Sequence, residues 1–256
     1  MKLIVNADDF GITTEVSRGI LEGMRDGFIT DTSALVNSPD FQSSVILARE
    51  AGVTEMGVHL TITFLKPVLD AAQVSSIVDP QGNFYRKPHL IPSSYNKQEI
   101  RDELRAQIET FLRTGLKMNH LDTHHGFSIL DEQILAIVIG LAQEYQVPMR
   151  RDDAMADDER LKERIVASGV KVADRLCFDP SSPSVSEEKV RSILECWQDT
   201  DAVVEIAGHP GYADDKLRAL SSLAEEREMD LKLFMNQDLF TYIRDHHIEL
   251  ISYGKL

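Results

Sequence analysis

Short apolar segments alternate with amphipathic ones along most of the chain. Residues 3–5 are continuously apolar, which is typical of a strand covered on both faces. Apolar residues then recur at helical spacing up to about Asp26, and Thr13 or Thr14 can cap the helix that they predict. The chain is therefore predicted to open with a buried strand followed by a helix.

The same alternation continues to the end of the chain. Further strands are predicted at residues 30–36, 56–60, 118–122, 147–150, 202–207 and 248–252. Helices are predicted at residues 41–48, 100–111, 131–145, 185–197, 222–235 and 237–246, with an acidic, helix-like stretch after residue 150. Strands that alternate with helices indicate parallel β/α units. About seven such units favour a closed or nearly closed β/α barrel, similar to a TIM barrel, over an open sheet.

Residues 65–97 interrupt this alternation. Prolines, a glycine and several Ser and Asn residues punctuate the stretch. Long loops inside compact domains are more often functional than neutral, so we predict that this excursion lies near a functional site. No segment of the 256 residues resembles a linker, which favours a single domain.

The composition narrows the classes of partner and compartment. A net charge of −15 argues against a nucleic-acid partner, because phosphates need clustered Lys and Arg. The longest apolar stretch, residues 134–142, is well below the roughly 20 residues that span a bilayer, so no membrane association is expected. Two cysteines without CxxC spacing, together with an N-terminus that lacks a signal-peptide pattern, predict a cytoplasmic protein.

Side chains that can titrate or bind a metal collect where the predicted strands end. They are Asp8, Asp9, His59, His120, Asp122, His124, His125, Arg150 and His209. The carboxyl ends of barrel strands converge on the face where active sites are built, so these residues are predicted to share one site.

This set of residue types indicates hydrolysis of an amide or an ester. One aspartate and two histidines can hold a metal while leaving positions open for water and substrate. A second carboxylate can accept a proton from that water, and a histidine across the site can protonate a leaving amine.

Each residue also has an ordinary structural explanation. Adjacent aspartates can form an Asx turn that the following glycine caps, and a lone histidine in an apolar strand is more often a satisfied core residue than a ligand. The paired histidines could form a polar turn, the segment at His209 could be turn chemistry, and Arg150 could bridge surface carboxylates. Their joint occurrence at strand ends favours a shared site over these separate explanations.

Five segments, taken in order, match a known family. They are residues 6–11 (NADDFG), 30–39 (TDTSALVNSP), 57–60 (GVHL), 120–124 (HLDTH) and 208–211 (GHPG). These segments resemble the YdjC-like carbohydrate deacetylases, which include the chitooligosaccharide deacetylases. The resemblance spans nearly the whole chain. It implies a distorted parallel β/α barrel, a divalent metal and hydrolysis of an N-acetyl group on a small sugar or oligosaccharide.

The resemblance also implies a role for each matching residue. Asp9, His59 and His124 would be the metal ligands, Asp8 the general base and His209 the general acid. Magnesium is the metal that the resemblance favours, while Zn, Mn and Co also tolerate this ligand set.

Both aspartates can face the site only if the chain bends between them. Adjacent side chains of a strand point to opposite faces. Gly11 would make such a bend easier.

Substrate contacts are predicted at Arg150, His125, Phe10 and Tyr85. Arg150 would orient the base or the substrate. Tyr85, beside Phe84 in the excursion, could stack on a pyranose face, although two neighbouring aromatic residues more often pack in a core.

One departure from the family pattern bears on specificity. Gly126 and Ser128 stand where many members carry further histidines, so the roles of those histidines do not transfer, and the sugar preference is expected to differ. The alternative functions are a catalytically altered sugar-binding or regulatory protein, another metal-dependent amide hydrolase, and a metal-dependent sugar isomerase on the same barrel. A homodimer is compatible with the sequence.

Overall fold

Parallel strands and helices alternate through the chain. The computed structural model describes residues 1–152, 159–177 and 186–256. The strands are β1 (Lys2–Phe10), β2 (Asp31–Ala34), β3 (Glu55–Leu60), β4 (Lys117–Thr123), β5 (Arg175–Cys177), β6 (Val203–Gly208) and β7 (Glu249–Leu250). All their pairings are parallel, in the order β4-β3-β2-β1-β6-β5, with β7 beside the start of β1.

Helices follow the strands, and several of them begin at capping residues that the sequence supplies. They are α1 (Thr14–Asp26), α2 (Phe41–Glu50), α3 (Lys97–Leu112), α4 (Glu132–Tyr145), α5 (Glu159–Ser168), α6 (Glu187–Trp197), α7 (Asp215–Leu220), α8 (Glu225–Phe234) and α9 (Gln237–Asp245). Thr13 accepts a hydrogen bond from the backbone N of Val16 at the start of α1, and Asp131 caps α4 in the same way. Among the residues that the structure describes, no helix has the length and apolarity to cross a membrane.

Residues 147–150 close the gap between β4 and the segment that leads into β5. They form only an isolated bridge at Met149 instead of the predicted strand, because Pro148 has no N–H to donate. Leu121 N donates to Pro148 O at 3.0 Å on one side, and Met149 N donates to Lys171 O at 3.0 Å on the other. The predicted distorted parallel β/α barrel is therefore confirmed.

Several predicted elements differ from those observed. β5 and α7 were not predicted, because each is too short to show a periodic apolar pattern. The predicted helix at 222–235 begins only at Glu225, and the last strand is limited to β7. The predicted helix start at Val185 and residues 153–158 of the acidic stretch lie outside the described residues.

The excursion at residues 65–97 is held against the barrel by one side chain from the loop after β2 and one from α3. Asn37 donates to the carbonyls of Phe64 and Lys66 at 2.7 and 3.0 Å. The fully buried carboxylate of Glu103 accepts from the backbone N of Val68 and Leu69 at 2.8 and 3.0 Å. The excursion therefore has a fixed position beside the carboxyl ends of β2 and β3.

Candidate active site

The end of β1 bends so that Asp8 and Asp9 make contacts on different sides. The pairing of β1 with β2 shifts register between Ala7 and Phe10. Asp9 has a φ of 71°, in the left-handed region that Asp tolerates better than most residues, and Gly11 follows with a φ of 91°. The predicted bend is therefore present, and it lies at Asp9 itself as well as at Gly11.

Asp9, His59 and His124 form a compact buried cluster. His124 Nδ1 lies 3.1 Å from Asp9 Oδ1, and His59 Nε2 lies 3.4 Å from the same oxygen. One potential ligand atom from each residue lies within 4.8 Å of the others. The ends of β1, β3 and β4 thus bring together the three residues that the family resemblance assigns as metal ligands.

His59 is oriented by a carboxylate behind it. Asp122 Oδ1 lies 2.9 Å from His59 Nδ1, and Ser33 Oγ donates to Asp122 Oδ2 at 2.7 Å. Burial alone would lower the pKa of His59, but Asp122 and the carboxylates of Asp8 and Asp9 raise it to about 9. Asp122 therefore fixes the ring with Nε2 towards Asp9, an arrangement common behind metal-binding histidines.

A second acidic cluster, Asp8 with His59 and Asp122, is already occupied by a guanidinium. Arg150 donates to both oxygens of Asp8 at 2.7 Å, and its Nη1 lies 3.1 Å from Asp122 Oδ2. A bidentate guanidinium leaves those oxygens poorly placed for a cation. The two clusters share His59, whose Nε2 faces Asp9 and whose Nδ1 faces Asp122.

Arg150 connects buried acids rather than surface ones. Its side chain is 2% exposed, and its Nε donates to Glu205 Oε1 at 2.8 Å. Burial would raise the pKa of Asp8, but the charge and hydrogen bonds of Arg150 keep that pKa below its usual value. Burial raises the pKa of Glu205 to about 7, and the Tyr253 hydroxyl donates to its other oxygen. Arg150 thus holds Asp8 ionised and fixed, which is compatible with the predicted orientation of the base.

His209 lies just after β6, held through its backbone. Its N donates to Asp230 Oδ2 of α8 at 2.9 Å. Burial lowers the pKa of the His209 imidazole, and nearby Asp9 only partly opposes this. His209 is therefore neutral near pH 7.

Sequence reasoning missed several residues of this site. Asn6 donates to Asp8 Oδ1 at 2.8 Å, and Arg227 of α8 donates to Asp9 Oδ2 at 2.6 Å. Asn6 and Glu205 interrupt apolar strands, which is a signal that could have identified them. Arg227 lies in an acidic helix, where an arginine is ordinary, so nothing in the pattern marked it.

The residues predicted to contact the substrate differ in their surroundings and burial. The His125 ring contacts that of His124 in a tilted arrangement with centroids 3.9 Å apart, and burial lowers the pKa of His125 to about 3. Tyr85 is partly buried against the core. Phe10 is packed in the apolar core with 0% exposure, so it has no exposed surface with which to contact a sugar.

Ser128, one of the two departures from the family pattern, has a structural partner here. Its Oγ donates to Asp152 Oδ2 at 2.6 Å, and the Thr123 hydroxyl donates to the same oxygen. Burial raises the pKa of Asp152 to about 6. A serine at this position therefore ties the loop after β4 to the segment after Arg150.

Comparisons with known proteins agree with this architecture. The model of the YdjC-like protein family matches residues 2–245. A carbohydrate deacetylase of Brevibacillus brevis is 36% identical over 257 residues, and one of Listeria monocytogenes is 33% identical over 259, each alignment covering 100% of both chains. A solved structure from Enterococcus faecalis, whose proposed role is cellobiose-phosphate cleavage, has a TM-score of 0.92 at 30% identity and covers 99% of this chain and 98% of its own. As the five matching segments predicted, the chain belongs to the YdjC-like family.

Proposed function

We propose that this protein is a metal-dependent deacetylase that removes the N-acetyl group from a small acetylated sugar or oligosaccharide. The observation that carries the proposal is the buried cluster of Asp9, His59 and His124 beside Asp8 and His209. Relatives named carbohydrate deacetylase, alignable over the whole chain, support the sugar as substrate class.

The donor atoms of the cluster have the spacing that a divalent cation requires. Donors at right angles around a cation with bonds of about 2.1 Å lie roughly 3.0 Å apart, and donors at a tetrahedral angle lie roughly 3.4 Å apart. The distances from Asp9 Oδ1 to the two imidazoles are 3.1 and 3.4 Å. The residues present therefore fit a cation bound by one oxygen and two nitrogens.

The buried charges around the cluster also favour a cation. Four buried acids contact an arginine here, namely Asp8, Asp9, Asp122 and Glu205. Three of them, Asp8, Asp9 and Asp122, also stabilise a positive charge on His59, because they raise its pKa to about 9. A divalent cation would take the place of that proton, since an imidazole has to be neutral to bind a metal.

A bound cation would polarise the acetyl carbonyl and lower the pKa of a water molecule at the site. Asp9, His59 and His124 would hold that cation. Asp8, kept ionised by Arg150, accepts a proton from the attacking water. His209 is neutral at rest, so the proton that it passes to the departing amine is the one that Asp8 has taken from the water, and this transfer leaves Asp8 ionised again.

The identity of the metal is open to a direct test. Magnesium is the prediction from family resemblance, whereas two imidazole ligands are more typical of later transition metals such as Zn. The sugar preference has to be tested on several substrates, because Gly126 and Ser128 replace residues that other family members carry.

The test is acetate release from a panel of N-acetylated mono- and oligosaccharides. Metal-stripped protein is assayed alone and with each divalent metal added back, beside Asp9→Ala, His209→Ala and the control His246→Ala, an exposed histidine at the end of α9. We expect metal-dependent acetate release in the parent and the control and its loss in the other two variants. No acetate from any sugar with any metal, or parental rates in both site variants, would contradict the proposal. Sugar binding without release would favour the binding-protein alternative.

A further inference from the structure

Arg227 is fixed at both its side chain and its backbone against the residues of the site. Its side chain is 2% exposed, its Nη2 donates to Asp9 Oδ2 at 2.6 Å, and its Nε donates to Leu223 O at 3.1 Å. Gly211 N donates to Arg227 O at 3.1 Å, so α8 is also tied to the loop that carries His209. This ion pair is therefore a rigid, buried contact.

The two oxygens of Asp9 consequently have different neighbours. Oδ1 faces the imidazoles of His59 and His124, whereas Oδ2 accepts the charged hydrogen bond of Arg227. Coordination of one cation by both oxygens would place the cation and the guanidinium on the same Oδ2, where the two positive charges repel each other and weaken a hydrogen bond that is stronger inside the barrel than at a surface. Asp9 can therefore offer one oxygen to a cation while Arg227 is in place.

Arg227 also offsets the charge of the ligand set. The two imidazoles are neutral when they bind a cation, so with Asp9 the ligand set carries one negative charge, and the guanidinium lies 2.6 Å from that carboxylate. Buried charges at such distances are weakly screened. A cation in this cluster would be bound less tightly than by the three ligands alone, and it would keep more of its positive charge to act on a substrate carbonyl.

We propose that Arg227 is a positioning residue that limits Asp9 to single-oxygen coordination of the cation and offsets the negative charge of Asp9. The cation would then bind less tightly but polarise the substrate carbonyl more strongly. The inference rests on the proposed function, because the cation belongs to that proposal.

Titration of Co²⁺ into metal-stripped protein tests this role. Calorimetry gives the affinity, and the visible absorption of Co²⁺ reports its coordination. Arg227→Met and Arg227→Gln remove the charge, Arg227→Lys keeps it, and Arg218→Met removes an exposed arginine of α7 as the matched control. Thermal melts first establish that each variant is folded.

We expect the two neutral variants to bind Co²⁺ about tenfold more tightly or better, with a changed spectrum as Asp9 becomes free to use both oxygens. Their kcat for acetate release should fall about tenfold or more with little change in KM. Arg227→Lys should bind Co²⁺ within about threefold of the parent, and Arg218→Met should match the parent throughout.

Weaker or unchanged Co²⁺ binding with a parental spectrum in both neutral variants would overturn the inference, since a merely structural role predicts looser binding. If Arg227→Met does not fold, Arg227→Gln provides the same comparison. Failure of the parent itself to bind Co²⁺ would instead contradict the proposed metal-dependent function.

Discussion

Replacing Arg150 with methionine should destabilise the protein far more than the loss of an ordinary ion pair. Arg150 donates to both oxygens of Asp8 at 2.7 Å and to Glu205 at 2.8 Å, and it lies 3.1 Å from Asp122. Methionine fills similar volume but leaves three buried carboxyl groups without their cation. Breaking a buried pair from one side costs about 3–5 kcal/mol, and three partners place Arg150→Met at the upper end of that range.

The matched control is Arg105→Met, which removes an arginine with the same kind of contact at the surface. Arg105 donates to Glu144 at 2.6 and 2.9 Å, and its side chain is 34% exposed. Exposed pairs contribute about 0–1 kcal/mol. Urea unfolding at pH 7 should therefore separate the two variants by several kcal/mol, and thermal melts should place Arg150→Met about 6–20 °C below the parent.

The pH dependence gives this prediction a second signature. In the parent, Arg150 keeps the pKa of Asp8 below its usual value despite burial. Without the guanidinium, burial outweighs the charge of His59 and raises the pKa of Asp8 in the folded state, so folding takes up a proton and Arg150→Met loses stability as pH rises. The difference in the free energy of unfolding between Arg150→Met and the parent should become smaller from pH 7 to pH 5. This explanation of the buried network would be refuted if Arg150→Met lost no more free energy of unfolding than Arg105→Met. It would also be refuted if the loss in Arg150→Met became larger towards pH 5.

Three further predictions concern other parts of the barrel. Asp122→Asn should weaken Co²⁺ binding about 10- to 100-fold in a calorimetric titration, because it removes the charge behind a ligand histidine. Gly57→Ala should lower the free energy of unfolding by about 1–3 kcal/mol in urea, because a Cβ there would clash with the buried His120 ring. The control is Gly140→Ala in α4, where a Cβ has room, so this variant should be neutral or stabilising. Burial raises the pKa of Asp31 to about 7, so folding retains a proton that the unfolded chain releases near pH 4. The contribution of Asp31 to stability should therefore be lost between about pH 4 and 7, so across this range the free energy of unfolding of Asp31→Asn should fall less, or rise more, than that of the parent. Parallel pH profiles of the two proteins would contradict the assignment.

The sequence predicts the parts of the fold and site that depend on local pattern. The apolar run before Asp8 and Asp9, with Gly11 after them, predicted both the first strand and a bend at its end. Thr13 and Asp131 marked the starts of α1 and α4 correctly. These features arise from neighbouring residues, so the pattern of the chain contains them.

Contacts between distant segments could not be predicted in this way. The pairing of Arg227 with Asp9 joins residues 218 positions apart, and only the packing of α8 on the barrel creates it. The partner of Ser128 likewise depends on how the loop after β4 meets the segment after Arg150. The strand expected at residues 147–150 is reduced to a bridge, because Pro148 and the path of the barrel wall override its local preference.

The most direct test of the whole account is the rate of acetate release as one divalent metal is titrated into metal-stripped protein. The substrate should be an N-acetylated sugar on which the parent is active, and His59→Ala should be titrated in parallel. We predict that the rate rises to a plateau at one metal ion per chain and that His59→Ala shows no such rise. Full acetate release in the presence of a chelator, or an identical titration in His59→Ala, would contradict the claim that Asp9, His59 and His124 hold the cation that hydrolysis requires.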